Sequence, residues 1–265
     1  MFLQEDSLIG LEVGTKDWFD AQKNLILSKP LLRFCYDAWY RCLVRDSNSV
    51  PDSARSGLYL ELGSGGSLLK NYQAGIITSD VVEGVAEQVI DAMRIPFPND
   101  SLSAIFMTHS FHHIPNVELF LKEAQRTLKV GGVLSMIEVS HTPFAKFFFS
   151  NFHHEPFDDR TRSWSFKQQD SMNDSNQALS WLIFFRDRKR FNSMFPTLCL
   201  ERWSYLPWFS YLMSGGVTRK QILPSKLGFI ARAIDYVSTP FWPIFALHWS
   251  LTIRKTAMVA ESGQQ

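Results

Sequence analysis

The sequence predicts an α/β chain wound on a largely parallel sheet, and three features of its first half carry that expectation. Short apolar runs bounded by turn residues recur there: LYLEL, GIITS, EQVI, AIFMT and VLSMIEV. Runs of this kind look like parallel strands buried on both faces. A segment of helical period lies before the last of them, so strands alternate with helix, which implies right-handed crossovers. The first run stops at a glycine cluster, ELGSGG, where the chain is free to turn sharply.

Taken in order, residues 1–56 read as a helical segment. Leu25, Leu31, Leu32, Phe34, Cys35, Ala38, Trp39 and Leu43 recur at spacings of three and four, broken by Pro30, and the loop DSNSVPDSARSG closes the region. Leu58 to Leu62 is the first strand, and SLLKNY is expected to be a helix of about two turns. GIITS is the second strand, ending in Asp80, and EQVI the third, ending in Asp91. Ala104 to Thr108 is the fourth. From Val117 to Lys129 the apolar residues Val117, Phe120, Leu121, Ala124 and Leu128 share a helical face; Gly131-Gly132 is expected to stop that helix ahead of the fifth strand. Residues 57–140 thus form a core, and 141–265 a less regular, aromatic-rich part. There a helix is expected over Trp181 to Phe195, with strands in TLCLERWSYL and IFALHWSLTI.

Composition narrows the function classes. Hydrophobic residues make up 45% and charged residues 20% of the 265, an ordinary globular balance. A net charge of +1 supplies no basic field, so no nucleic-acid partner is expected. RDRKR, Arg186 to Arg190, reads as a solvated helix face. Cys35, Cys42 and Cys199 have no Cys-x-x-Cys spacing and read as reduced thiols of a cytoplasmic protein. MFLQEDSLIG lacks the pattern of a signal peptide. The most apolar stretch, Phe241 to Ile253, falls short of the roughly 20 residues of a spanning helix. Phe147, Phe148, Phe149, Trp242 and Trp249 are candidates for peripheral membrane contact.

In ELGSGG the glycines let backbone approach a ligand, and a following helix would offer its amides. A dinucleotide loop needs a third glycine where Leu68 stands, and the Gly-Lys-Ser/Thr ending of a phosphate loop is absent. Asp80, just beyond the second strand, is placed to accept hydrogen bonds from both hydroxyls of a ribose, and Asp91 to receive an adenine amino group. Either aspartate alone reads as a cap or turn residue; two in register behind ELGSGG favour an adenosyl ligand.

The stretch from ELGSGG through DAMRIPFPNDSLSAIFMTHSFHHIP to FLKEAQRTLKVGGVLSMIEV resembles the methyltransferase type 11 group of class I methyltransferases, which use S-adenosylmethionine (SAM). The likeness spans roughly residues 57–140. It implies a Rossmann-like, doubly wound sheet of seven strands with the last antiparallel, TLCLERWSYL and IFALHWSLTI being the sixth and seventh. It implies SAM as cofactor, with Glu61, Gly63 and Gly65 forming the glycine turn, Asp80 on the ribose, Asp91 and Ala92 on the adenine, and His109 near the methionine portion. Two departures stand out. Eleven residues from Asp80 to Asp91 are too few for the usual helix, and Ser103 replaces a common acidic residue, with consequences expected in packing.

The resemblance further implies methyl transfer, expected at oxygen of a small-molecule, lipid-linked or glycan acceptor. The sulfonium of SAM is an activated leaving group, so the protein mainly aligns the nucleophile, worth up to about 7–11 kcal/mol. A base near a hydroxyl acceptor adds about 10²–10⁴-fold. Candidates are His112 and His113 in THSFHHIP and His153, His154 and Glu155 in NFHHEPFDD. Histidine suits proton transfer near neutral pH. HHE lacks the i, i+4 spacing of helical metal ligands, and no metal is expected. MSGG, Met213 to Gly216, is expected in a lid over a partly apolar pocket. A non-catalytic SAM-binding or interaction protein that retains the methyltransferase fold is the alternative. An NAD-dependent oxidoreductase is disfavoured by Leu68 and the absence of a Tyr-x-x-x-Lys pair.

Overall fold

A computed structural model describes residues 4–168 and 174–258. Seven strands form one sheet in the order β3-β2-β1-β4-β5-β7-β6: β1 Leu58–Leu62, β2 Ile76–Asp80, β3 Gln88–Val89, β4 Leu102–Thr108, β5 Leu128–Val139, β6 Leu198–Tyr205 and β7 His248–Lys255. The first five pair in parallel; β7 runs antiparallel to both its neighbours, β5 and β6. The strand order reverses between β1 and β4, and the crevice at their carboxyl ends is where open α/β sheets bind ligands.

Each face of the sheet is covered because its central strands, β4, β5 and β7, are buried on both sides. On one face, α3 (Val117–Thr127) packs Val117, Phe120, Leu121 and Ala124 against Leu60, Ile105 and Leu134. Asn116 caps this helix, accepting from the Leu119 amide at 3.2 Å. Phe184, Phe191 and Phe195 complete the layer. On the other face lies α2 (Pro30–Asn48), preceded by α1 (Lys16–Ser28); Pro30 separates the two and opens α2, where its missing amide costs nothing. Leu32, Cys35, Trp39, Tyr40 and Leu43 meet Ala104, Phe106, Val133 and Ile137. Asp46, wholly buried near the end of α2, accepts from Ser135 Oγ on β5 at 2.7 Å and Thr252 Oγ1 on β7 at 2.6 Å. Those charge-assisted bonds fix the helix on the sheet.

Four expectations need correction. SLLKNY forms only a 3-10 turn, Leu69–Asn71; the Leu68 amide donates to Tyr40 of α2 at 2.9 Å, and α1–α2 fills the space a helix there would take. The helix from Val117 ends at Thr127, and Gly131-Gly132 lies inside β5, where the pairing with β4 shifts register. EQVI shrinks to Gln88–Val89 at the sheet edge. The helix expected over Trp181 to Phe195 starts at Leu179 and is interrupted: α5 (Leu179–Trp181), a π-turn (Leu182–Arg186) and α6 (Arg188–Met194). Ser103 is buried and donates to the Ala54 carbonyl, a packing role.

Besides α5 and α6, the region read as irregular contains four further short helices among the described residues. They are α4 (Pro143–Phe152), α7 (Phe209–Ser214), α8 (Gly228–Val237) and α9 (Trp242–Phe245). Aromatic contacts join α4, α9 and Trp208, with Phe144 5.6 Å and Phe245 5.1 Å from its ring. Helices of four to ten residues are too short for their period to stand out in a sequence. Of the residues offered for membrane contact, Phe149 and Trp249 are buried and Phe147 is exposed. Among the described residues no helix is long and apolar enough to cross a membrane.

Candidate active site

A cavity of about 1250 Å³ opens at the carboxyl ends of β1 and β4. One end is the glycine turn after β1. Gly63 and Gly65 have φ of +62° and +47°, the left-handed region where a side chain is strained. A Cβ on Gly63 would lie 2.5 Å from Ser110 Cβ, and one on Gly65 2.9 Å from the Phe19 ring. Glu61 sits behind the turn, almost fully buried, accepting from Ser67 Oγ at 2.6 Å and Ser64 Oγ at 3.2 Å. Burial pushes its carboxyl up to about 7, against the two hydroxyls. Gly63, Gly65, Asp80, Asp91, Ala92 and His109 line the cavity; Glu61 instead shapes the turn from beneath.

Asp80 closes the turn from β2. Its carboxylate accepts from the Gly65 amide at 2.9 Å and the Val82 amide at 3.0 Å, one on each oxygen, leaving a lone pair on each. Asp91 is exposed and uses one oxygen for the Met93 amide at 2.8 Å. No helix separates the two aspartates, so this edge stays open. Glu87 ties it down, accepting from the Thr78 amide at 3.1 Å and from Lys70.

Beyond β4 the backbone is strained again. His109 adopts φ +55°, uncommon outside glycine and a signature of functional loops. Its amide donates to Ile137 at 2.9 Å, while its Nε2 and the Thr108 hydroxyl are buried without a partner. Burial lowers the His109 imidazole to about 4, so it is neutral near pH 7. The ring meets Trp39 at 4.9 Å and His248 at 4.7 Å edge-on.

The opposite wall gathers the remaining candidates. His112 and His113 lie on a 3-10 turn (Phe111–His113), and His153, His154 and Glu155 follow α4. His112 Nδ1 lies 2.6 Å from Glu138 Oε2, and its Nε2 3.2 Å from Glu155 Oε2. Glu138, wholly buried on β5, also accepts from the Phe111 amide at 3.0 Å. Burial alone would lower the His112 imidazole; the two carboxylates outweigh it and raise it to about 10. Burial would raise Glu155, but His112 holds it well below the ordinary carboxylate range.

His113 Nε2 is 3.7 Å from the same Glu155 oxygen, and His154 Nε2 3.7 Å from the other. His153 Nδ1 accepts from Gln177 Nε2 at 2.8 Å and the Glu155 amide at 3.3 Å, so its proton sits on Nε2. Burial lowers His113 and His153 to about 4. Ser175 Oγ and Gln177 Nε2 donate to Glu155 at 2.9 and 3.1 Å. His112, His113 and Glu155 form a group whose ligand atoms lie within 4.8 Å, a closeness the HHE spacing does not reveal.

Sequence reasoning missed Glu138, Gln177, Tyr211 and His248. Glu138 had a signal: an acid inside the apolar run VLSMIEV. His248 begins β7 and Tyr211 stands on α7; their rings meet at 4.4 Å, and both line the cavity. Burial drives the His248 imidazole well below its ordinary value. MSGG ends α7, with Gly215 at φ +72°, and turns the chain toward the cavity-lining Val217, Thr218 and Arg219.

Residues 60–136 match the family model described as a methyltransferase domain. A 27-O-demethylrifamycin SV methyltransferase of Amycolatopsis mediterranei is 33% identical over 58 residues, 22% of this chain and 21% of that protein. The ubiquinone/menaquinone biosynthesis C-methyltransferase UbiE of Methylococcus capsulatus is 33% identical over 73 residues, 28% of this chain and 29% of that protein. The chain thus spans less than a third of the length of these curated relatives. Over nearly the whole fold, a solved SAM-dependent methyltransferase of Thermotoga maritima superposes with a TM-score of 0.54 at 15% identity, covering 91% of this chain and 98% of that one.

Proposed function

We propose that the chain, whose residues 60–136 match the methyltransferase-domain family, binds SAM in the cavity and transfers its methyl group to an acceptor oxygen. One observation carries the reading: a single cavity has the glycine turn with Asp80 and Asp91 at one end and a wall of histidines and Glu155 at the other. The residues fit such a cofactor. Left-handed glycines bring backbone close, Asp80 keeps free lone pairs, and the orphaned Thr108 hydroxyl and His109 Nε2 await a partner.

Gly63 and Gly65 would hold SAM by their backbone, Asp80 by the ribose hydroxyls, Asp91 and Ala92 by the adenine, with His109 beside the methionine portion. When bound, SAM supplies a methyl group on a sulfonium. The cavity exceeds the usual ligand pocket of about 300–1,000 Å³, which leaves room for an acceptor.

Hydrogen-bond occupancy sorts the catalytic candidates. His112, bonded through both nitrogens to carboxylates, has no lone pair and orients Glu155. His153 presents an N–H, suited to holding an acceptor oxygen. His113 and His154 are left to take its proton. Residues 141–265 serve as acceptor cap and complete the sheet begun in 57–140, while α1–α2 lie on the face opposite α3, where Tyr211 of α7 packs 5.4 Å from Trp39.

A lipid-linked acceptor is favoured by an apolar face. Phe147, Phe152, Phe229, Tyr236, Val237, Phe241 and Ile244 are exposed on α4, α8 and residues 239–245, beside exposed Lys146, Lys226 and Arg232. Aromatics flanked by basic groups suit the surface of an anionic bilayer.

Calorimetry with SAM and its demethylated product tests the reading. Binding is expected, and Asp80→Ala should weaken it roughly 10–100-fold, the worth of hydrogen bonds to a charged group. No binding of either compound refutes the function. Binding without any demethylated product across hydroxyl acceptors would favour the non-catalytic alternative.

A further inference from the structure

The wall opposite the glycine turn has the dimensions of a metal site. A divalent zinc-like ion takes histidine nitrogen and carboxylate oxygen at about 2.0–2.2 Å, which places neighbouring ligand atoms roughly 3.0–3.5 Å apart. His112 Nε2 stands 3.2 Å and His113 Nε2 3.7 Å from Glu155 Oε2. Two adjacent histidines on one turn and a carboxylate from the segment after α4 thus converge, with their ligand atoms all within 4.8 Å of one another, a spacing that small side-chain shifts close around one ion.

The surroundings of these ligands provide a second, independent observation. A metal-bound histidine commonly donates its other ring N–H to a carboxylate, which fixes the tautomer and aims the lone pair at the ion. Glu138 does this for His112 Nδ1 at 2.6 Å and is itself held by the Phe111 amide at 3.0 Å. Glu155 is likewise oriented by Ser175 Oγ and Gln177 Nε2. The alternative grouping of His153, His154 and Glu155 is weaker, because His153 Nδ1 is committed to Gln177 and His154 is exposed.

We propose that His112, His113 and Glu155 bind one divalent ion of the zinc type, with a coordination position open to the cavity for the acceptor's hydroxyl. The ion takes the place of the proton shared between His112 Nε2 and Glu155. Three protein ligands and an open position are the pattern of catalytic rather than structural zinc. An oxygen bound there loses its proton more readily, and with His113 occupied by the ion that proton passes to His154 or to water. The bound oxygen attacks the methyl carbon as the sulfonium bond breaks, so no oxidant or reductant enters. The role for the hydroxyl rests on the methyltransferase reading; the ion site does not.

Metal-stripped protein titrated with Co²⁺, followed by its visible absorption, and with Zn²⁺ by equilibrium dialysis tests the site. One equivalent of each should bind, with the intense d–d bands of low-coordinate cobalt. His113→Ala and Glu155→Gln should abolish binding, and Glu138→Gln should weaken it about 10–100-fold through the loss of orientation. If either ligand variant fails to fold, the Glu138→Gln affinity decides. Asp80→Ala should keep the ion while SAM binding weakens about 10–100-fold, and Glu155→Gln should lose the ion and keep SAM, so the two readings fail separately. No stoichiometric binding, or binding unchanged in these variants, overturns the proposal.

Discussion

Replacing Glu61 by glutamine should remove a specific pH dependence of stability. The carboxyl is shut beneath the glycine turn with two serine hydroxyls and with Asp80 nearby, and burial lifts it from 4.5 to about 7. Between those values the folded chain binds more protons than the unfolded chain, so this group's contribution to stability falls as pH rises through that window and is constant above it. At about 1.4 kcal/mol per pH unit, the full loss is roughly 3 kcal/mol. Glutamine keeps the volume, accepts from Ser67 through its carbonyl and donates to Ser64, but cannot ionise. Reversible urea unfolding of both proteins, followed by tryptophan fluorescence from pH 4.5 to 7.5, isolates the difference. The variant should gain on the wild type by roughly 3 kcal/mol across that range, which at slopes of about 1–3 kcal/mol/M moves the midpoint gap by at least about 1 M. A gap that stays flat with pH would show that Glu61 is ionised throughout and that burial does not lift its carboxyl.

Three further outcomes are expected. Gly65→Ala forces a Cβ into a left-handed position 2.9 Å from Phe19; strain of about 1–2 kcal/mol should appear in thermal unfolding, and SAM affinity by calorimetry should fall at least tenfold. Tyr40→Phe leaves the buried Leu68 amide without its acceptor, costing about 1–3 kcal/mol in urea unfolding and loosening the turn; an unchanged midpoint would mean that the amide finds another partner. Flotation with anionic vesicles should carry the wild type upward, and Phe229→Ser with Phe241→Ser should reduce that fraction while stability stays within about 1 kcal/mol, since both side chains are exposed. Equal recovery of wild type and variant would remove this face as a lipid contact.

Part of the site was legible because its signals are local. A glycine pair between an apolar strand and a turn, and an acid at each following strand end, are set by chain geometry within a few residues. So Asp80 and Asp91 could be offered from their placement, and Gly63 and Gly65 through the resemblance that ELGSGG carries. Glu61 was named too, but its position behind the turn depends on the serine hydroxyls that reach back to it at 2.6 and 3.2 Å. The helix expected at SLLKNY failed for a related reason: its propensity is adequate, but Tyr40 from another part of the chain holds the Leu68 amide.

The sequence by itself determined the succession of strands and pointed to an adenosyl ligand at their carboxyl ends, because period, glycine placement and strand-end acids report local backbone geometry; the cofactor came from the resemblance those motifs carry. Only the tertiary structure decided which polar groups meet. His112 and Glu155 are 43 positions apart and His109 and His248 139 apart, yet each pair shares one cavity wall. Contacts at such separations arise from how the sheet twists and how the short helices after β5 fold back over it. No window of sequence contains that information.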